Sequence, residues 1–255
     1  MKDNDAEQWT KVPVAVRDSR RTRIGLIALD IDDVVESDLR EFLRGTSAEV
    51  VTTRIMTARG TCESRRILET EISRAAQSLL PTSDIEAIVF GCTSAAVKMG
   101  SSRISAILHR ERPNVMVVDP ASACLSVLDS IGAQSVGLIT PYSSDTSELT
   151  ASHFENASIN VRSRVRFDID SGRPEQPSLD EFRQACAIVC AGRRLDCIFI
   201  SCMGLRTNHI YRELALEFDL PVLTSTYVVA RTLMDTVLRS KSSWEPAQCN
   251  HKNAT

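Results

Sequence analysis

The chain of 255 residues is 43% hydrophobic and 25% charged, so it holds enough apolar material for one large or two small α/β lobes. Its 30 basic and 33 acidic side chains give a formal charge of −3, which excludes a global field that would draw it to nucleic acid or to a membrane surface. No run reaches the roughly 18 apolar residues of a membrane span. Residues 1–23 are polar and do not resemble a signal peptide, so we expect a cytoplasmic protein.

Two kinds of hydrophobic pattern alternate along the chain. Short β-branched runs predict strands, in chain order, at residues 23–29, 49–54, 85–90, 113–118, 136–139, 198–202 and 220–223. Helical periodicity predicts helices at residues 36–43, 63–80, 121–131 and 227–238. This alternation predicts an α/β fold with mostly parallel sheets flanked by helices, and ligand sites at the carboxyl ends of the strands.

An internal repeat divides the chain into two similar halves. Gly25 lies in a strand signal that recurs around Gly137, 112 residues later. Cys92 ends a strand signal of the first half, and Cys202 ends one of the second half, 110 residues later. A third strand and helix after each cysteine also match. We therefore predict two pseudo-symmetric lobes whose equivalent strand ends face a shared cleft, which holds the active site.

The repeat also sets the predicted domain boundaries. They are a disordered arm at 1–22, lobe one at 23–130, lobe two at 131–220, a last strand and helix at 221–240 that packs back across the lobes, and a disordered tail at 241–255.

Two of the eight cysteines lie in matching motifs. No Cys-x-x-Cys pair occurs, and a chain of this size does not need disulfides, so we expect reduced thiols. Gly91-Cys92-Thr93-Ser94 predicts a strand, a tight turn and a helix start, where backbone N–H groups attract a carboxylate oxygen and favour the thiolate of Cys92. Ser201-Cys202-Met203-Gly204 repeats the plan. The alternative is a pair of small buried core residues, which is common for free cysteine.

Two opposed sulfurs permit two kinds of chemistry without a cofactor. One thiolate can remove a proton from one face of a carbon while the other thiol returns a proton to the opposite face. Alternatively, one cysteine adds covalently to a carbon–carbon double bond and the other manages the proton.

Three motifs together resemble the aspartate/glutamate racemase superfamily, in its maleate isomerase and arylmalonate decarboxylase branch. They are Gly91-Cys92-Thr93-Ser94, Thr140-Pro141-Tyr142, and Ile200-Ser201-Cys202 with the later Leu205-Arg206. The first strand, with the acidic residues that follow it, is similar to the ectoine-utilization A-type proteins of that branch. The resemblance covers residues 23–238.

This resemblance implies a role for each matching residue. Cys92 would be nucleophile or base, and Cys202 the opposing acid or base. The N–H and hydroxyl groups of Thr93 and Ser94 would bind a substrate carboxylate, and Tyr142 would hydrogen-bond the substrate.

Two loops depart from the pattern of the branch. Maleate isomerases have an asparagine in the first strand-to-helix loop, where this chain has Asp32 between Asp30 and Asp33. An anionic loop with Asp30 and Asp32 as substrate contacts would repel a second substrate carboxylate and bind an amino or amidinium group. The alternative is that these acids only complement a helix N-terminus. Met203 and Gly204 follow Cys202 where racemases typically continue with threonine, so we expect them to line a less polar half-site.

Other candidate sites are weaker. Cys186, Cys190 and Cys197 have no histidine at ligand spacing, so we expect no metal site. No glycine-rich phosphate loop occurs, and we expect no nucleotide or other cofactor.

The sequence thus predicts a cofactor-independent isomerase or racemase that uses Cys92 and Cys202 on a small carboxylic or amino acid, with ectoine catabolism as a candidate context. A cofactor-free arylmalonate-type decarboxylase is one alternative, and a non-catalytic protein that binds a small solute is another. We expect a small carboxylate or amino-acid substrate as partner, no nucleic acid, no membrane, and assembly into a homo-oligomer.

Overall fold

A computed structural model describes residues 12–13, 21–56, 62–169 and 176–238, with the backbone alone at 62–64. The predicted arm at 1–22, apart from residues 12–13 and 21–22, and the predicted tail at 241–255 lie outside the described residues. Cys62 has no described side chain, and Cys249 lies outside this range.

The first half alternates strands with helices from residue 22 onward. Its elements are β1 (Thr22–Leu29), α1 (Val35–Phe42), β2 (Ala48–Ile55), α2 (Cys62–Ser78), β3 (Ala87–Phe90), α3 (Thr93–Met99), α4 (Ser101–Glu111), β4 (Met116–Val118) and α5 (Pro120–Ser130). The second half repeats the alternation with β5 (Ser135–Thr140), α6 (Ser144–Asn156), β6 (Asn160–Arg166), α7 (Leu179–Cys190), β7 (Cys197–Ile200), α8 (Tyr211–Phe218), β8 (Val222–Thr224) and α9 (Ser225–Thr236).

Each half forms one four-stranded parallel sheet. The strand orders are β2-β1-β3-β4 and β6-β5-β7-β8, so the two sheets have the same topology. This confirms the predicted α/β class with two similar parallel sheets flanked by helices. The strand order reverses between the two central strands of each sheet, β1 and β3 in the first and β5 and β7 in the second. Open α/β sheets bind ligands at such a reversal, beyond the carboxyl ends of the strands.

The repeated glycines have the same packing function in both sheets. Gly25 and Gly137 lie on the central strands β1 and β5. A Cβ atom on Gly25 would lie 2.9 Å from the side chain of Leu79, and one on Gly137 would lie 2.9 Å from Leu195. Glycine is therefore favoured at both places, because a larger residue would push these leucine side chains aside.

One hydrophobic core connects the two halves. It contains Leu26 and Val89 from the first sheet, Phe199 from the second, and Val229 and Leu233 from α9. Helix α9 follows β8 of the second sheet but packs against α1 and α5 of the first half. Helix α3 likewise packs against α6 of the second half. The loops after β3, β5, β7 and β8 are thereby fixed relative to one another.

No helix in the described part of the chain combines the length and apolar composition needed to cross a membrane. The cytoplasmic location stays a prediction.

Candidate active site

Cys92 and Cys202 lie at equivalent carboxyl ends of the two sheets. Cys92 is two residues beyond β3, and Cys202 is two residues beyond β7. The residue before each cysteine donates its N–H to the neighbouring strand at the same distance, Gly91 to the carbonyl of Ile27 and Ser201 to that of Ile139, both at 2.8 Å. The sheet register therefore delivers both cysteines to matching positions, as the repeat predicts.

Cys92 is a partly exposed thiol at the N-cap of α3. Its sulfur lies 3.5 Å from the hydroxyl oxygen of Ser94. Burial raises the pKa of the Cys92 thiol, while the Ser94 hydroxyl and the Ala95 amide lower it to a smaller extent. The helix start favours the thiolate through the Ala95 amide, as predicted, but the desolvation of the sulfur is the larger effect.

Cys202 has a different backbone from Cys92. Its φ is +107°, whereas that of Cys92 is −142°. Burial, together with the charges of the nearby Cys92 and Asp32, raises the pKa of the Cys202 thiol to about 12, against the lowering effect of the Gly204 amide and the Tyr142 hydroxyl. Cys92 is near enough to influence the ionisation of Cys202, and the Ser225 hydroxyl joins the two loops by accepting the Cys202 amide at 3.0 Å and the Thr93 hydroxyl at 2.9 Å. Because two adjacent negative charges repel each other, only one of the two thiols ionises readily.

Tyr142 follows β5 and connects the two cysteine loops. Its hydroxyl lies 3.1 Å from the hydroxyl of Ser201, and Thr93 and Cys202 are near enough to influence its pKa. Burial, together with the charges of Cys202 and Cys92, raises the pKa of Tyr142 well above its ordinary value. Tyr142 is therefore a neutral hydrogen-bond donor at neutral pH.

Thr93 and Ser94, the predicted carboxylate-binding residues, differ in their surroundings. The Thr93 side chain is buried, and its hydroxyl donates to the hydroxyl of Ser225 at 2.9 Å. The Thr93 hydroxyl proton therefore bonds another protein group instead of a substrate. Ser94 is half-buried beside the sulfur of Cys92. The substrate contact of both residues stays a prediction, and for Thr93 it would involve the backbone N–H.

Asp32 is the acidic residue that the structure brings to the thiols. Its Oδ1 atom accepts the N–H groups of Val34 and Val35 at 2.8 and 2.9 Å, at the start of α1. Its Oδ2 atom faces Gly204, where an added Cβ would lie 3.3 Å from Oδ2 and 3.5 Å from the sulfur of Cys202. Burial raises the pKa of Asp32, and its charge raises the pKa of both thiols.

The neighbouring acids have other surroundings. Asp30 is exposed and accepts the N–H of Ile31 at 3.0 Å, and its substrate contact stays a prediction. Asp33 is exposed and lies 3.7 Å from the guanidinium of Arg206. Of these three acids, Asp32 is the one whose carboxylate the structure places beside Gly204, next to the sulfur of Cys202.

The loop after Cys202 is anchored rather than open. Met203, predicted to line the substrate site, is 1% exposed and belongs to the hydrophobic core that joins the halves. The burial of its side chain in this core therefore fixes the position of the loop. Gln176 also holds the loop, since its Nε2 atom donates to the carbonyl of Gly204 and its Oε1 atom accepts the N–H of Arg206, both at 2.9 Å. Gly204 itself separates Asp32 from Cys202.

Sequence reasoning missed Ser225 and Gln176. Ser225 lies in the hydroxyl run Thr224-Ser225-Thr226, which follows the last predicted strand. That run at a strand end is the signal that could have identified it. Gln176 has no such signal, because its contact with the Cys202 loop is made across 28 residues of chain.

Within the described residues, no three His, Cys, Asp or Glu side chains come together as a metal site requires. Cys186 and Cys197 are buried, free thiols.

Solved structures with this two-lobed arrangement define its class. A maleate cis-trans isomerase from Nocardia farcinica, solved as a cysteine-to-serine mutant with a covalently bound succinylcysteine intermediate, aligns with a TM-score of 0.74 at 18% identity, over 85% of this chain and 92% of that one. The maleate isomerase Iso from Pseudomonas putida S16 gives 0.72 at 15% identity, over 86% and 93%. An unliganded arylmalonate decarboxylase gives 0.73 at 17% identity, over 84% and 92%. The chain therefore has the fold of the maleate isomerase and arylmalonate decarboxylase branch.

The family follows from the sequence match. The model of the AroM protein family matches residues 23–237, and the chain belongs to that family. No curated protein matches the sequence significantly. The predicted fold of the maleate isomerase and arylmalonate decarboxylase branch is confirmed, whereas the similarity to ectoine-utilization proteins stays a prediction.

Proposed function

We propose that this protein is a cofactor-independent isomerase or racemase, acting at a carbon next to a carboxylate, with Cys92 and Cys202 on opposite sides of that carbon. The observation that carries the proposal is that the two cysteine loops meet in one place: the Ser225 hydroxyl accepts the Cys202 amide at 3.0 Å and the Thr93 hydroxyl at 2.9 Å, and the Tyr142 hydroxyl lies 3.1 Å from that of Ser201. A pair of structural core cysteines would not need this ring of hydroxyl and carboxylate groups.

The surroundings of the sulfurs suggest different roles. Cys92 has a hydroxyl and a helical amide beside its sulfur, so it is the better candidate for the thiolate that acts as base or nucleophile. Cys202, with a pKa of about 12, stays a thiol and returns the proton. The proton would leave the substrate carbon to the Cys92 sulfur, and the Cys202 thiol would protonate the opposite face.

Covalent addition is the second route open to the same pair. The Cys92 thiolate would add to one carbon of a double bond while Cys202 protonates the other carbon. After rotation about the resulting single bond, Cys202 would take back a proton as the sulfur leaves. The succinylcysteine intermediate in the Nocardia farcinica enzyme is support by similarity for this route.

We propose a substrate with one carboxylate and one cationic group. The Oδ2 atom of Asp32 faces Gly204 in the loop of Cys202, and an ionised carboxylate there attracts an ammonium or amidinium group and repels a second carboxylate. A small amino acid, including one derived from ectoine, fits this charge arrangement better than maleate. We further propose that the enzyme acts in the cytoplasm, as a homo-oligomer, without nucleic-acid or membrane partners.

The test is hydrogen exchange with solvent. The protein would be incubated in D2O with a panel of small carboxylic and amino acids, and deuterium at the α-carbon followed by NMR. We expect Cys92→Ala and Cys202→Ala each to reduce exchange by at least about 10²-fold. The matched control is Cys190→Ala, a half-buried cysteine at the end of α7, which should keep full exchange.

Each other outcome has a distinct meaning. Full exchange and turnover in either single mutant would refute the paired-thiol mechanism. Release of carbon dioxide from malonate-type acids would replace it with decarboxylation. Binding of an acid by wild type and both mutants, without any reaction, would indicate a non-catalytic solute-binding protein.

A further inference from the structure

Ser225 joins the two cysteine loops from a third element. It is the first residue of α9, and its side chain is fully buried. Its hydroxyl oxygen accepts the backbone N–H of Cys202 at 3.0 Å and the hydroxyl of Thr93 at 2.9 Å. One side chain therefore connects the backbone of Cys202 to the helix that begins beside Cys92.

The backbone of Cys202 is unusual among the described residues with positive φ. The other non-glycine residues of this kind have φ between +41° and +62°, near the ordinary left-handed region, and each follows a helix: Leu80, Ser158 and Asp219. Cys202 has φ of +107° and follows a strand. A non-glycine residue in such a conformation is strained and persists only when its surroundings fix it.

The first half of the chain lacks this arrangement. Pro120 is the first residue of α5, at the position that Ser225 occupies in α9. Cys92 has an extended backbone that any residue adopts. The serine and the strain therefore occur together in one half of the repeat and are both absent from the other.

We propose that Ser225 is a positioning residue, which holds Cys202 at positive φ and so directs its thiol toward Tyr142 and Asp32. The hydrogen bond from the Cys202 amide offsets the backbone strain. Without it, the residue would relax to negative φ and turn the sulfur away from the opposed thiol. The importance of this position for the reaction rests on the proposed function, whereas the hold on the backbone does not.

The test measures Cys202 itself rather than turnover. In Ser225→Ala, we expect iodoacetamide to alkylate Cys202 at pH 8 at least about tenfold faster than in wild type, because relaxation exposes the thiol. Peptide mass spectrometry measures the rate of Cys202 alkylation at several pH values. Hydrogen exchange should show that the Cys202 amide exchanges faster in Ser225→Ala than in wild type. The matched control is Thr226→Val, since Thr226 is also fully buried and, among the described residues, its hydroxyl has no partner. It should leave both readouts unchanged.

A milder substitution and a second position keep the test decisive if Ser225→Ala fails to fold. Ser225→Cys, which keeps a weak acceptor, should shift both readouts in the same direction by less. Cys202→Gly should melt at a higher temperature than Cys202→Ala, because glycine accepts positive φ. At Ser201, whose φ is not positive, the order of Gly and Ala should reverse.

Two results would overturn the proposal. One is a folded Ser225 variant in which Cys202 has the alkylation rate and amide exchange of wild type. The other is that the Gly variant melts below the Ala variant at Cys202, as is expected at Ser201. If the Ser225 variants change Cys202 as expected but no acid reacts with wild type, only the proposed function fails.

Discussion

Cys92 and Cys202 occupy equivalent strand ends, but they are not equivalent side chains. Cys92 has an extended backbone and the Ser94 hydroxyl beside its sulfur. Cys202 has a strained backbone and a thiol whose pKa is raised to about 12, first of all by burial. A pseudo-symmetric fold can therefore give two identical residues different backbones and different surroundings, as the proposed transfer of a proton between opposite faces requires.

Asp32 offers a prediction at this scale. Asp32→Asn keeps an oxygen that can accept the amides of Val34 and Val35 but removes the charge that raises the pKa of both thiols. We expect both thiols to be alkylated at lower pH. We also expect the preference in kcat/KM for an amino acid over a dicarboxylate to fall about tenfold, or ~1.4 kcal/mol.

Asp33→Asn is the control for this prediction, because Asp33 is exposed and lies near Arg206 instead of the thiols. It should change neither the alkylation profile nor the preference. Unchanged thiol profiles in Asp32→Asn would contradict the placement of its charge.

Side chains that lie within a motif could be predicted, and those that arrive by tertiary contact could not. The strand-end repeat predicted matching positions for Cys92 and Cys202, and the comparison with the resembled family singled out Tyr142 and Asp32. The positive φ of Cys202 could not be predicted, because a non-glycine residue carries no mark of it in sequence. Ser225 reaches the Cys202 amide only because α9 packs between the lobes.

At the scale of elements, the buried strands were predictable and the polar one was not. Strands β1, β3, β5 and β7 are apolar runs and were predicted. Strand β6 was missed because its only buried residue is Ser163 and its sequence Asn-Val-Arg-Ser-Arg-Val-Arg is polar. It is a strand because its backbone pairs with β5 at the sheet edge, which is a property of the partner and not of its own composition.

The two matching helices α5 and α9 give a prediction about their N-caps. Asp119 caps α5, and its Oδ1 atom accepts the amides of Ala121 and Ser122 at 2.9 and 3.1 Å. Thr224 caps α9 with one bond, from the amide of Tyr227 at 3.1 Å. We expect Asp119→Ala to lower the free energy of unfolding by about 2 kcal/mol and Thr224→Ala by about 1 kcal/mol. Urea denaturation measures both, and a larger loss for Thr224→Ala would contradict this account.

At the scale of the whole molecule, Asp38 connects the two halves. It lies on α1, is 2% exposed, and accepts the N–H of Thr207 in the loop after β7 at 3.0 Å. Burial raises the pKa of Asp38 above its ordinary value of 3.8, more than the amides of Thr207 and Asn208 lower it. The repeat predicted two lobes, but it could not predict this contact, because Asp38 and Thr207 belong to non-equivalent parts of the two copies.

The raised pKa of Asp38 predicts a pH dependence of stability. Between 3.8 and the raised value, the folded protein binds more protons at Asp38 than the unfolded chain does, so this contribution to stability is lost as the pH rises through that interval. We expect the unfolding free energy of wild type, relative to Asp38→Asn, to decline across this interval. Denaturation of both proteins at several pH values measures the difference, in which other titrating groups cancel. A difference that increases with pH would show that the sign is wrong.

Strand β6 has one more consequence, for the behaviour of the protein at high concentration. An exposed sheet edge is a template on which another chain can add a strand and begin aggregation. Every second residue of this edge after Asn160 is an exposed arginine: Arg162, Arg164 and Arg166. A second copy that paired there in register would bring like charges together, so this edge resists growth of the sheet from one molecule to the next.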